Sequence, residues 1–107
     1  MRKLTSQEKK IIIKLLQTNK SKLEEFTQQI NNYLVEPMND GGMRSIRFIR
    51  NSKEKRMLGE VIAEEEFIDE DQIPVLISLN LDSEGEFFEL DIWKVDFSPV
   101  KHILGID

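Results

Sequence analysis

The sequence predicts an α+β domain in which an N-terminal helical hairpin packs on one face of an antiparallel sheet of about five strands. Three observations carry this reading. Two stretches before residue 35 place apolar residues at helical spacing. After Leu34 the period changes to two, and the alternating runs are separated by turn residues. The 107 residues, 39% of them hydrophobic, suit one core between two layers, so residues 1–107 read as a single domain.

Thr5 followed three residues later by Glu8 is a capping box, which starts a first helix by satisfying backbone N–H groups that a helix start leaves unpaired. Ile12, Leu15 and Leu16 share a face, Lys9, Lys10 and Lys14 face solvent, and Thr18 and Asn19 end the pattern. Leu23, Phe26, Ile30 and Leu34 repeat the spacing and predict a second helix from about Ser21 to Tyr33. Val35 to Met38 holds Pro37, which cannot donate to a ladder, and reads as an edge strand. Asn39 to Gly42 supplies a tight hairpin turn into a return strand from Met43 to Arg50, with Ile46 and Phe48 inward and Arg47 outward. Asn51 to Lys55 is a charged loop. A third strand follows from Met57 to Phe67, with Val61 and Ala63 on one face and Glu60, Ile62 and Glu64 on the other. Ile68 to Ile73 reads as a solvated acidic loop, and Val75 to Asp82 as the fourth strand.

In the last hairpin Val75, Ile77, Leu79 and Leu81 share one face, and Phe88, Leu90 and Ile92 share another. A loop of even length, Glu84–Gly85 or residues 82–85, brings both sets against the helices. Phe87, Glu89, Asp91 and Trp93 then lie on the opposite face with Ser78 and Asn80. Ser98 and Pro99 end the strand, and Val100, Ile103 and Leu104 are expected to pin the tail.

The net charge of −5 conceals an asymmetry: residues 1–57 carry 13 Lys and Arg against 6 Asp and Glu, residues 58–107 only 2 against 14. Two oppositely charged halves can attract each other within the fold, or present separate basic and acidic regions. Acidity overall disfavours nucleic acid as a partner, with a residual basic run in Arg44, Arg47, Arg50, Lys53, Lys55 and Arg56. The absence of cysteine removes disulfides and thiol chemistry and suits a reducing compartment, so a cytoplasmic location is expected. The first apolar run, Ile11 to Ile13, is broken by Lys14 and too short for a signal-peptide core or a spanning helix, so neither export nor a membrane is expected.

At DGGMRS (Asp40–Ser45), IAEEEFIDED (Ile62–Asp71) and FELDIWKVDFSP (Phe88–Pro99) the chain resembles a family of small bacterial proteins known as a domain of unknown function. The resemblance runs from LTSQEKKII to the final strand. It implies a bacterial, cytoplasmic, one-domain protein and brings no catalytic or ligand residues. Two positions depart from the family pattern, Arg44 and Gln72, where glycine is usual.

Glu89 and Asp91 lie two apart on a strand, so their carboxylates share a face. Paired carboxylates suit acid–base chemistry or a divalent cation, and an aromatic among acids suits protein contact. The expected function is therefore a non-enzymatic, acidic protein-binding module for a basic protein, for example an antagonist that covers a basic toxin. Its contacts are Glu89, Asp91 and Trp93, flanked by Phe87 and Asn80, with Glu64 and Glu66 at the periphery. The alternative is a metal- or small-molecule-binding enzyme that uses the same strand's carboxylates. The plainer readings beside these are a solvated sheet face and a Trp93 covered by the tail. No catalytic residue, metal ligand or cofactor is assigned. Asp69, Glu70 and Asp71 lack the glycine and distal glutamate of a calcium loop, Asp40–Gly42 lacks the ending of a phosphate-binding loop, and His102 reads as a surface residue.

Overall fold

The computed structural model describes residues 1–50 and 55–106. It is a mixed α+β structure with two short helices and a six-stranded antiparallel sheet. The helices are α1 (Ser6–Leu15) and α2 (Lys20–Gln28), joined by a 3₁₀ turn, Leu16–Thr18. The strands are β1 (Arg2–Lys3), β2 (Leu34–Pro37), β3 (Ile46–Phe48), β4 (Leu58–Ile68), β5 (Pro74–Asp82) and β6 (Phe87–Lys94). Their order across the sheet is β1-β2-β3-β6-β5-β4. Among the described residues no helix is long and apolar enough to cross a membrane.

Helix α1 starts where its capping box requires: the Glu8 N–H donates to Thr5 Oγ1 at 3.1 Å, and the Thr5 N–H donates to Glu8 Oε1 at 2.9 Å. Asn19 caps α2 through the Lys22 N–H, but the helix ends at Gln28, short of the expected Tyr33. The β-branched and Asn-rich residues Ile30, Asn31 and Asn32 follow that end in turns. A strand precedes the helices, and they do not form a clear N-terminal hairpin. Their apolar residues Ile11, Ile12, Leu15, Leu16 and Phe26 nevertheless share one cluster with the inner face of the sheet.

The sixth strand is β1, two residues that pair with Val35 and Leu34. It lies outside β2, so β2 is covered over those residues while Pro37 remains beyond the pairing. The connection from β2 to β3 spans residues 38–45 and is wider than the expected tight turn. Gly41 and Gly42 do take positive φ, but Asp40 then turns its carboxylate back to accept from the N–H groups of Met43 and Ser45, which delays the return strand to Ile46. The expected loop at residues 51–55 lies outside the described residues except for Lys55.

Strand β4 has two register shifts, between Leu58 and Val61 and between Val61 and Ala63. These break the alternation read from the sequence: Val61 pairs with Asn80 and is exposed, whereas Ala63 pairs with Leu79 and packs on the core, so the two do not share a face. Gly59 sits in the first shift, where a Cβ would collide with the Asp82 carbonyl oxygen.

The β5–β6 hairpin carries the largest correction. Leu79↔Leu90 and Ile77↔Ile92 pair as expected and are buried, but a shift after Asn80 sets Phe87 opposite Leu81. The extra residue is Phe88. Phe87 therefore points into the core, where it meets Phe26 and Phe48 at 5.8 and 5.7 Å between ring centroids. Phe88 leaves the core cluster and is buried between the guanidinium groups of Arg47 and Arg56, 5.3 and 4.7 Å from its ring.

Both Arg44 and Gln72 have left-handed backbones, with φ of 73° and 70°. Glycine adopts this conformation without strain, so the side chain at each position carries a backbone cost. Two outcomes are expected. Leu79→Ala or Leu90→Ala, at sites with no exposure, lowers stability by about 2–5 kcal/mol in chemical denaturation. Gln72→Gly raises it by about 0.5–1 kcal/mol, since relief of the left-handed strain exceeds the entropy glycine loses on folding.

Candidate binding face

The sheet has a helix-free outer face, and β6 supplies its centre through Glu89, Asp91 and Trp93. Across β5 these residues pair with Asn80, Ser78 and Leu76, and Ser78 and Leu76 pair onward with Glu64 and Glu66 of β4. Four of the five principal sequence candidates, Glu89, Asp91, Trp93 and Asn80, thus lie on one side of the sheet. Phe87 does not, because the bulge at Phe88 turns it inward.

The acids on this face are not equivalent. Glu89 pairs with Arg47, which lies opposite it on β3 and donates from Nη2 at 2.6 Å and from Nε at 3.1 Å. Glu64 accepts from Ser78 Oγ at 3.0 Å. Asp91 accepts from the Ser45 hydroxyl at 3.4 Å. Its pKa is raised above the usual carboxylate value by desolvation first, then by the negative charges of Glu89 and Asp40, with the Ser45 hydroxyl opposing them. Asn80 is buried, and its side-chain oxygen has no hydrogen-bond partner among the described residues.

Trp93 is not covered by the tail. It is 45% exposed and meets Phe97 edge-to-face with centroids 4.8 Å apart. Phe97 is 68% exposed and holds a left-handed φ of 65°, an unusual conformation for a bulky side chain. Leu76 and Val95 add exposed apolar surface beside them. Sequence reading passed over Phe97, whose place beside Trp93 depends on the Lys94–Phe97 turn closed by the Phe97 N–H on the Lys94 carbonyl.

The acidic loop is not solvated throughout. Asp69 has no exposure, and neither does the side chain of Lys94. Lys94 Nζ donates to Asp69 Oδ2 at 2.8 Å and to Asp71 Oδ2 at 2.6 Å. Asp69 also accepts from the N–H groups of Glu70, Lys101 and His102. Burial pushes the Asp69 carboxyl up, but Lys94 and these three N–H groups outweigh it and hold the group well below the usual range. Lys94 continues the inward series of Leu90 and Ile92, so an alternation pattern could have flagged it as a buried charge in need of a partner. The partner itself is 25 residues away in sequence.

Asp82, the last residue of β5, is likewise buried. It accepts from Arg50 and Arg56 and from the N–H groups of Glu84 and Glu86. Among the described residues no group of three or more His, Asp or Glu gathers to hold a metal. Glu89, one half of the carboxylate pair considered for that role, is occupied by Arg47.

Asp69→Ala is expected to destabilise the protein by about 3–5 kcal/mol, because it leaves the buried Lys94 with Asp71 as its one remaining counter-charge among the described residues and removes the acceptor of three N–H groups. The pKa of Asp69 is depressed on folding, so its contribution is fully present above the unfolded value near 3.9 and is lost as pH falls toward the folded one. Denaturation midpoints of wild type and variant should therefore converge as pH is lowered below about 4.

Comparison with known proteins identifies one family: its model, described as "Domain of unknown function (DUF6984)", matches residues 1–104. No curated protein and no solved structure matches the chain.

Proposed function

The chain belongs to this family of unknown function, and we propose that it is a non-enzymatic protein-binding module whose contact surface is the outer face of the sheet around Trp93. The observation that carries this reading is the exposed Trp93–Phe97 pair beside Leu76, with Asp91 and Glu66 adjoining it on the same face. Exposed aromatics held in a fixed geometry lose little entropy on binding and bury large apolar areas, which is why they dominate contact energies. The neighbouring acids select a basic partner and steer its approach.

The basic half of the chain does not offer a competing nucleic-acid surface of the same quality. Arg47, Arg50 and Arg56 are each paired with acids of the second half, which leaves fewer cations to displace counterions from phosphate. Lys53 lies outside the described residues.

Affinity purification from the native host is expected to recover a basic protein whose association weakens with salt, since exposed charges are screened over about 10 Å at 0.1 M. Trp93→Ala should abolish recovery while the protein stays folded, through loss of a contact worth about 2 kcal/mol or more. Retention of the partner by a folded Trp93→Ala variant would count against the face.

A further inference from the structure

A separate cavity of about 260 Å³ lies at the other side of the sheet, between the start of α1, the β2–β3 connection and the tail. Its apolar wall is made of four isoleucines, Ile11, Ile46, Ile92 and Ile103, one each from α1, β3, β6 and the tail. Each is at most 2–3% exposed, so the wall is fixed by the core itself. The volume falls just below the range of about 300–1,000 Å³ typical of pockets for drug-sized ligands, which fits a smaller one.

The charges around this cavity leave one cation over. Arg2 and Glu8 both line it, but they neutralise each other through two contacts of 2.8 Å, and Glu8 is further held by the Thr5 N–H. Arg44 also lines it, is exposed, and has no ion-pair or hydrogen-bond partner among the described residues. Its placement is built into the loop. The Asp40 carboxylate accepts from the N–H groups of the residues on both sides of it, Met43 at 3.2 Å and Ser45 at 3.0 Å, which braces the left-handed backbone at Arg44. Ser45 is in turn fixed to β6, donating to the Ile92 carbonyl at 3.2 Å and accepting from the Ile92 N–H at 2.8 Å. A side chain other than glycine in this conformation carries strain, and the surrounding hydrogen bonds hold it there.

We infer that this cavity binds a small amphipathic carboxylate, its apolar part against the four isoleucines and its carboxylate on the guanidinium of Arg44. Arginine matches a carboxylate with two parallel N–H donors, and the isoleucines, which have little surface left to bury, chiefly fix the apolar shape that the rest of the ligand meets. A neutral ligand of the same shape would leave the guanidinium unused, and a cation would be repelled by it.

Octanoate serves as the probe and 1-octanol as its uncharged counterpart, each titrated into the full chain with isoleucine methyl groups labelled for NMR. Octanoate is expected to shift the methyl signals of Ile11, Ile46, Ile92 and Ile103 saturably, leaving Ile77 in place, with 1-octanol bound at least about tenfold more weakly. Arg44→Gly is the informative variant, because glycine adopts the left-handed backbone without strain and the loop is retained. It should keep the wild-type spectrum at the isoleucines and lose about tenfold in octanoate affinity, while Arg44→Lys keeps part of it. Absence of saturable shifts, shifts confined to other methyl groups, or equal affinities in wild type and Arg44→Gly would each overturn the proposal.

Discussion

A lysine ammonium with no access to water is tolerated only where every donor finds an acceptor and the charge finds its opposite. Lys94 meets this condition at the end of β6, and the way it does so fixes much of the molecule. Asp69 reaches it from the end of β4, Asp71 from the turn into β5, and the Pro99 carbonyl from the tail at 3.3 Å. The same Asp69 carboxylate takes two backbone N–H groups of the tail, next to the bridge between Asp69 and Ile103. One buried pair thereby sets the ends of β4, β5 and β6 against one another and draws the tail across the core, where Val100, Ile103 and Ile106 are buried while Leu104 stays exposed. An apolar substitute could fill the space, but it would not dictate which backbone groups meet there.

The same logic operates at the opposite end of the β5–β6 hairpin. Asp82 has little exposure and gathers Arg50 and Arg56, and Arg56 also donates to the carbonyls of Phe48 and Phe87, closing the ends of β3 and β6. Part of the polarity of the sequence, basic first half and acidic second, is thus neutralised within the fold. Arg47–Glu89, Arg56–Asp82 and Lys14–Glu65 all join one half to the other. Among the described residues Glu66 near Trp93 on the outer face and Arg44 at the isoleucine-walled cavity take part in no ion pair.

The parts of this arrangement that were legible in the sequence are those set by neighbours along the chain. The capping box of Thr5 and Glu8 is complete within four residues, and the alternation of Ile77 and Leu79 with Leu90 and Ile92 survives because that stretch of the hairpin has no irregularity. The outward positions of Glu89, Asp91 and Trp93 follow from it. Phe87 and Phe88 were misassigned since both are large and apolar, and period alone cannot say which of two adjacent aromatics a bulge will exclude. Val61 and Ala63 failed for the same reason. The strand at Arg2–Lys3 is too short to show any period, and Asp69, read in isolation, resembles any acid in a turn. Its burial becomes visible only when Lys94 is set beside it.

The sheet order also divides the molecule unequally. Strands β4, β5 and β6 form a meander from one continuous segment, and the helices with β1, β2 and β3 come from another; the two halves of the sheet are stitched by the pairing of β3 with β6 alone. That seam is short, with Ile46 opposite Leu90 and Arg47 opposite Glu89, and its partners are 42 residues apart at the second pair. Closing so long a loop for so few ladder bonds is entropically the most demanding contact in the sheet. The meander can gain most of its pairing before the seam exists, whereas the first half joins it both through this seam and through the helix residues Ile12, Leu16 and Phe26 that enter the same core. The three residues of β3 thus carry all the strand pairing between two segments that otherwise meet largely through side chains.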